Sequence, residues 1–272
     1  MALWIADSER ALTRLKEDVQ TLCAQGTCLT ACGDSVICAA QDGAHVYTAA
    51  GEEIAAYPLP PGICRLCALP DALYALSSEA DSVSLLCPRT GRLRLCARAG
   101  CYPRDMMLSR CGRYLLVSGG AAGETMVLLA QDLQQIGRYA LPGVVCAAAF
   151  GERDMYALCA VEENDMAAHV LRISPRGVIS QVQRMSALPG AMRVLTDGSL
   201  LCGVAGEMLR LRPDGRVLQR YPGGLAQSIR VVRDGALVAD PVEGCVMQTT
   251  LSIGKSAGKI FLGASPSDVL VF

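Results

Sequence analysis

Apolar residues in this chain fall in short runs, each cut by a glycine, a proline or a polar pair, and none keeps helical spacing for the length of an ordinary helix. The pattern is clearest in four successive runs, DMMLS, RYLLVS, TMVLLAQ and QQIGRYA. They are separated by Arg110-Cys111-Gly112, by the loop 119–124 and by Asp132-Leu133. The same scheme returns as MRVL, SLLCGV, EMLRLR and RVLQRY, with turns at Thr196-Asp197-Gly198 and Pro213-Asp214-Gly215. It returns again as SIRVV, ALVAD and CVMQTT, with Asp234-Gly235 in the first turn. Asp-Gly pairs supply the positive φ that tight hairpins need, so each group predicts antiparallel strands joined by short turns.

A larger period organises these groups. Gly26, Gly62, Gly100, Gly143, Gly190, Gly224 and Gly263 each close a strand-like run, 34 to 47 residues apart. Four short strands per period of about 40 residues predict an all-β chain, a seven-bladed β-propeller of four-stranded antiparallel blades. The blades expected are 1–26 with 265–272, 27–62, 63–101, 102–143, 144–190, 191–224 and 225–264, in one domain spanning 1–272. Six blades is the alternative, should the long fifth period be divided differently.

The two ends of the chain complete the ring. PSDVLVF at 266–272 matches PRDMMLS at 103–109, an innermost strand, and ALWIADS near the N-terminus matches second strands such as RYLLVSG and ALVADPV. The C-terminal strand therefore supplies the inner strand of the first blade and the N-terminal residues its outer three. Such closure leaves no free sheet edge between the ends.

The run GRYLLVSGG followed by ETMVLLAQD resembles the YVTN-type β-propeller repeat, in which a Gly-aromatic-Val strand, a small-residue loop with an acid and a Val-rich strand succeed one another. At the level of blade pattern the resemblance extends over the whole chain, although Asn164 is the only asparagine. The Gly-His and Trp-Asp signature of WD40 repeats is absent, and so are the periodic paired glycines of kelch repeats. The resemblance implies the fold; related propellers include lactonases and protein-binding modules, so it leaves the activity open.

Composition narrows the setting. The chain is 51% apolar and 19% charged, with a net charge of −1, which fits a folded core and gives no bulk attraction for nucleic acid or an anionic membrane. No run reaches the length of a membrane-spanning helix. The sequence MALWIADSERALTRLK lacks the features of a secretory signal, so the 14 cysteines are expected as small buried apolar side chains in a cytoplasmic protein. Aromatic residues make up only 4%, leaving few stacking platforms for single-stranded nucleic acid.

In a propeller the inner strands start at one mouth of the axial channel, and the residues just after each closing glycine face it. Those positions hold Cys64-Arg65, Arg104-Asp105, Met192-Arg193, Gln227-Ser228 and Ser267-Asp268, with Thr27-Cys28 and Val145-Cys146 in the remaining blades. The candidate ligand-binding residues are Arg65, Arg104, Asp105, Arg193, Gln227 and Asp268, with Arg230 deeper in. Converging guanidinium forks suit carboxylate, phosphate or sugar-acid groups. The competing expectation is that these arginines pair with neighbouring acids and lock blade to blade.

Other candidates carry less. Each loop between second and third strands holds an acid (Glu9, Asp42, Asp81, Glu124, Glu162 with Glu163 and Asp165, Glu207, Glu243), a spacing that suits turn capping rather than convergence on a metal. His45 and His169 are expected in register-equivalent third strands near the surface, too far apart for a dyad. Cys64 and Cys67 form the only C-x-x-C, in a strand where a separation of three puts them on opposite faces. The cluster Cys23, Cys28, Cys32 and Cys38 spreads over three strands. No nucleophile elbow, phosphate loop or dinucleotide fingerprint is present. The expected function is a non-catalytic binding or scaffold propeller, without cofactor or metal, whose arginine-containing mouth takes a small anionic ligand or a protein loop. The alternative is a small lactonase-like hydrolase, with Asp105, Asp268 and the mouth arginines acting on a sugar lactone or acid.

Overall fold

The structure is a computed structural model that describes residues 2–7, 12–15, 19–23, 26–100, 102–119, 125–162, 165–232, 235–251, 255–261 and 266–271. These residues form seven four-stranded antiparallel sheets and no helix. Blade 4 follows the sequence pattern closely, with strands Pro103–Leu108, Tyr114–Gly119, Thr125–Ala130 and Gln135–Ala140. In blade 1 the C-terminal strand Pro266–Val271 pairs antiparallel with Leu3–Asp7, matching Leu3 to Val271 and Ala6 to Asp268. Leu12–Leu15 and Val19–Cys23 complete that blade, so one strand from the C-terminal end and three from the N-terminal end close the ring.

Hairpin chemistry sets the strand ends. At the turns, Asp132, Asp197 and Asp214 each accept a hydrogen bond from the backbone N–H two residues on, at 3.0 to 3.1 Å. Gly215 follows with φ +91°, and a Cβ there would collide with the Val182 carbonyl, so both conformation and space require glycine. Of the closing glycines, Gly190 is needed for space instead: a Cβ would strike the Ala226 carbonyl of the next blade.

The core is divided into seven wedges, one between each pair of adjacent blades. Alternation along the strands produces this, because successive side chains face opposite neighbours. In the second strand of blade 4, Leu115 and Val117 pack toward blade 3, whereas Leu116 packs toward blade 5. The wedge between blades 1 and 2 holds Trp4, fully buried, with its ring centroid 5.8 Å from that of Tyr47. Ile5 and Val269 meet Leu237, Ala239 and Val246 across the last interface, which brings blade 7 against blade 1.

Two expectations about side-chain placement change. His169 lies within the third strand Met166–Ile173 and is buried at 5% exposure, not near the surface, because that strand runs longer than its pattern suggested. His45 sits at the rim between Asp42 Oδ1 (3.0 Å) and Glu53 Oε1 (3.2 Å). The cysteines also divide. Cys28, Cys38, Cys159, Cys202 and Cys245 are buried in the wedges, but Cys96 and Cys111 are exposed.

Candidate functional site: the axial channel

The inner strands of blades 1 to 6 share a register shift near their start, where one extra residue stands opposite the second strand. Such a bulge turns a side chain out of the ladder and inverts the parity of the residues beyond it. In blade 3 it falls between Ile63 and Arg65, and it brings Cys64 and Cys67 to the same side instead of opposite faces. Both thiols reach carbonyls of blade 4, Cys64 that of Pro103 (3.5 Å) and Cys67 that of Met106 (3.5 Å). Burial pushes both thiols up to about 11, so neither is a ready thiolate.

Beyond the bulge the inner strands align by packing. Leu29, Leu66, Met106, Ala148, Met192, Ile229 and Val269 each pack against the preceding blade and occupy one equivalent position. The residue before it forms an upper level turned toward the following blade: Cys28, Arg65, Asp105, Ala147, Ala191, Ser228 and Asp268. The residue after it forms a lower level: Thr30, Cys67, Met107, Ala149, Arg193, Arg230 and Leu270. Arg193 is therefore the equivalent of Arg230 and not of Arg65, one level deeper than its place after Gly190 suggested. Gly190 and Ala191 take up the bulge in blade 6, and counting from the glycine mistook the level.

These two levels interlock through charge. Arg65 Nε donates to Asp105 Oδ1 at 2.9 Å, joining blades 3 and 4, and its Nη2 reaches the Gln227 carbonyl at 3.5 Å. Arg230 Nη2 donates to Asp268 Oδ2 at 2.9 Å and to the Leu29 carbonyl at 2.8 Å, joining blade 7 to blades 1 and 2. Asp268 also accepts from Ser228 Oγ (2.6 Å) and from the backbone N–H groups of Leu29 and Val269 (both 2.9 Å). Burial alone would raise the Asp268 carboxyl, but Arg230, Arg65 and these donors outweigh it and hold it below the ordinary carboxylate range. Burial likewise opposes charge on Arg65, and Asp105 with Asp268 more than offsets it, so its pKa lies above the usual arginine value. Arg193 differs. Its Nη1 is 3.7 Å from Asp105 Oδ2 and donates to its neighbour's carbonyl, Met192 O, at 2.7 Å. Burial, Arg230 and Arg65 together lower its pKa despite Asp105 and Asp268.

Blade 5 contributes only small side chains to either level, Ala147 and Ala149. Above the charged layer lies a cavity of about 520 Å³, with Arg65, Asp105, Ser78, Cys146, Ala147 and Ala191 in its wall. Arg104, Gln227 and Tyr102 complete that wall at the upper mouth. Arg104 is the bulged residue of blade 4; it is exposed and makes no hydrogen bond or ion pair with the described residues. Tyr102 beside it is 63% exposed, adopts φ +47°, and is held by its N–H donating to Asp81 Oδ1 at 2.7 Å. Below the charged layer a second cavity of about 310 Å³ opens at the other mouth, with Arg193 and Arg230 in its wall.

Four of the sequence-derived residues, Arg65, Arg104, Asp105 and Gln227, thus share the upper cavity. Arg193 lines the lower one, and Asp268 is buried in the charged layer at 1% exposure. Sequence reasoning did not select Tyr102 or Ser78; the signal for Tyr102 was its place before Pro103, at the turn into the inner strand. Of the second-to-third-strand acids, Asp42, Asp81, Glu207 and Glu243 bind His45, the Tyr102 N–H, Arg220 and Lys259, each within its own blade or to the next. Glu9, Glu124 and Glu163 lie outside the described residues. No group of three potential metal ligands gathers among the described residues.

No protein-family model matches the sequence, and no curated protein matches it. Solved structures share the architecture. A functionally unknown protein from Desulfotomaculum acetoxidans is 11% identical with a TM-score of 0.78, over 99% of this chain and 98% of that one. A "putative 6-phosphogluconolactonase" from Bacteroides uniformis is 13% identical with a TM-score of 0.72, over 99% and 98%. Kuenenia stuttgartiensis hydrazine synthase is 10% identical with a TM-score of 0.77, over 89% and 88%. At such identities the likeness is one of fold, and the chain is a β-propeller whose structural neighbours include lactonase-like propellers.

Proposed function

We propose that this propeller is a non-catalytic binding protein whose upper mouth receives a small, hydroxylated anion such as a sugar acid or a phosphorylated sugar. The observation that carries this reading is Arg104, an exposed guanidinium with no partner among the described residues, standing over a cavity of about 520 Å³ that has Arg65 in its wall. The acids nearby are already engaged: Asp105 by Arg65 and Arg193, Asp268 by Arg230 and Ser228. An incoming carboxylate or phosphate would meet free donors on Arg104, with Gln227, Ser78 and Tyr102 available to its hydroxyl groups. The same engagement argues against the lactonase-like alternative, since a carboxylate clamped between guanidinium groups is a poor general base.

Calorimetric titration with citrate, gluconate and inorganic phosphate tests the reading. Binding of at least one of them is expected, weakened roughly tenfold or more by Arg104→Ala, in line with loss of a charge-assisted hydrogen bond. The variant should keep its thermal stability within about 0.5 kcal/mol, as for other exposed positions. Absence of binding by all three anions at millimolar concentration overturns the proposal. Gluconolactone hydrolysis above background that Asp105→Asn abolishes would put the hydrolase first.

A further inference from the structure

We propose that the lower mouth is a second, separate binding site, for a monocarboxylate with an aromatic or branched apolar body. The charged layer motivates it. Three guanidinium groups, Arg65, Arg193 and Arg230, face two carboxylates, Asp105 and Asp268, leaving one positive charge in excess within the channel. Arg65 and Arg230 each hold a carboxylate at 2.9 Å, so the excess falls on Arg193. Its nearest carboxylate oxygen is 3.7 Å away, its side chain is 15% exposed, and its Nε and Nη2 make no hydrogen bond with any described residue. A largely desolvated guanidinium with idle donors favours an anion that arrives with little competing water.

The wall around those donors defines the rest of the ligand. Met107, Leu108, Phe150, Val194 and Ile229 surround the cavity of about 310 Å³ with apolar surface, at the lower end of the size range of ligand pockets. Arg110 spans the rim, its Nη2 donating to the Leu195 carbonyl at 2.9 Å, from blade 4 past the end of blade 5 to blade 6. A polyhydroxylated acid would leave its hydroxyl groups unpaired against this wall, whereas an aromatic or branched carbon body would be buried by it. The upper cavity, with Ser78, Gln227 and Tyr102, has the opposite preference. This site stands independently of the function proposed for the upper mouth, because it shares neither cavity nor free donor with it.

Titration of the full chain with phenylacetate, and with the neutral benzyl alcohol of similar shape, tests the site. Phenylacetate should bind at least roughly tenfold more tightly than benzyl alcohol, the margin of a charge-assisted contact. Arg193→Gln should abolish that margin, while Arg104→Ala should leave phenylacetate binding unchanged. Val231→Asp serves as the second variant, should Arg193→Gln fold poorly: Val231 lines the cavity, is 41% exposed, and a carboxylate there should repel the ligand roughly tenfold. Equal binding of the alcohol, indifference to both Arg193→Gln and Val231→Asp, or loss with Arg104→Ala would each overturn the assignment.

Discussion

The two mouths of the channel are built from the same seven strands, yet they differ in kind. The upper one is polar and open, with bulges in blades 3 to 6 turning short or charged side chains toward it. The lower one has a mainly apolar wall, with charge where Arg193 and Arg230 descend from the layer between and where Arg110 spans the rim. Repetition therefore does not make a propeller symmetric from top to bottom. A single inserted residue near the start of six of the seven inner strands separates a variable rim from a packed interior, and the charged layer keeps the two spaces distinct.

Opening the ring should erase both mouths at once. Deleting residues 266–272 removes the inner strand of blade 1 and with it Asp268, the anchor of Arg230, Ser228 and Leu29. No cooperative thermal transition is expected from that truncation; a well-folded product by calorimetry and size exclusion would contradict the closure scheme. Next in size comes Asp105→Asn, which leaves Arg65 and Arg193 facing each other without a carboxylate. Removing one partner of a buried pair costs about 3–5 kcal/mol, measurable by denaturant unfolding. Asp268 adds a pH signature. Its folded pKa lies below its unfolded one, so its contribution is complete above the unfolded value and fades as pH falls from about 4 downward. Asp268→Asn should flatten that acid limb of the stability profile.

The smallest effect concerns the exposed lower face. Cys111 lies 3.4 Å from Ser109 Oγ, and that contact together with Arg113 brings its thiol down to about 7. Alkylation should mark Cys111 well before the buried Cys28 and Cys202, with a rate that climbs as pH passes about 7, and Cys111→Ser should leave stability unchanged. Uniform labelling of all thiols would mean that the wedges open readily.

Much of this was legible in the sequence. Glycine spacing and the match of PSDVLVF to PRDMMLS carried the ring and its closure, because hairpin turns and strand alternation are local properties. The grouping of Arg65, Arg104, Asp105 and Gln227 around one cavity follows from the same local register. Arg193 was set one level too high, and Cys64 and Cys67 were assigned to opposite faces. Both errors come from the bulge: it adds a residue without altering the pattern of apolar and polar letters, so parity counted from the glycine fails beyond it. Matching Met192 to Met106, two apolar residues that each pack on the preceding blade, would have set Arg193 at its proper depth. The burial of His169 depended on the length of its strand, which a lone histidine in an apolar run does not reveal.

The pairing of Leu3 with Val271 also has a consequence in time. During synthesis the strand Leu3–Asp7 is made before every other blade and must wait until Pro266–Val271 exists as its inner neighbour. Throughout that interval it presents an unpaired edge, the kind of surface on which nascent chains join one another. The last hydrogen bonds of the ring are thus the longest in sequence and the latest available, and the slowest step of folding is expected to be the arrival of Pro266–Val271 in a slot already formed.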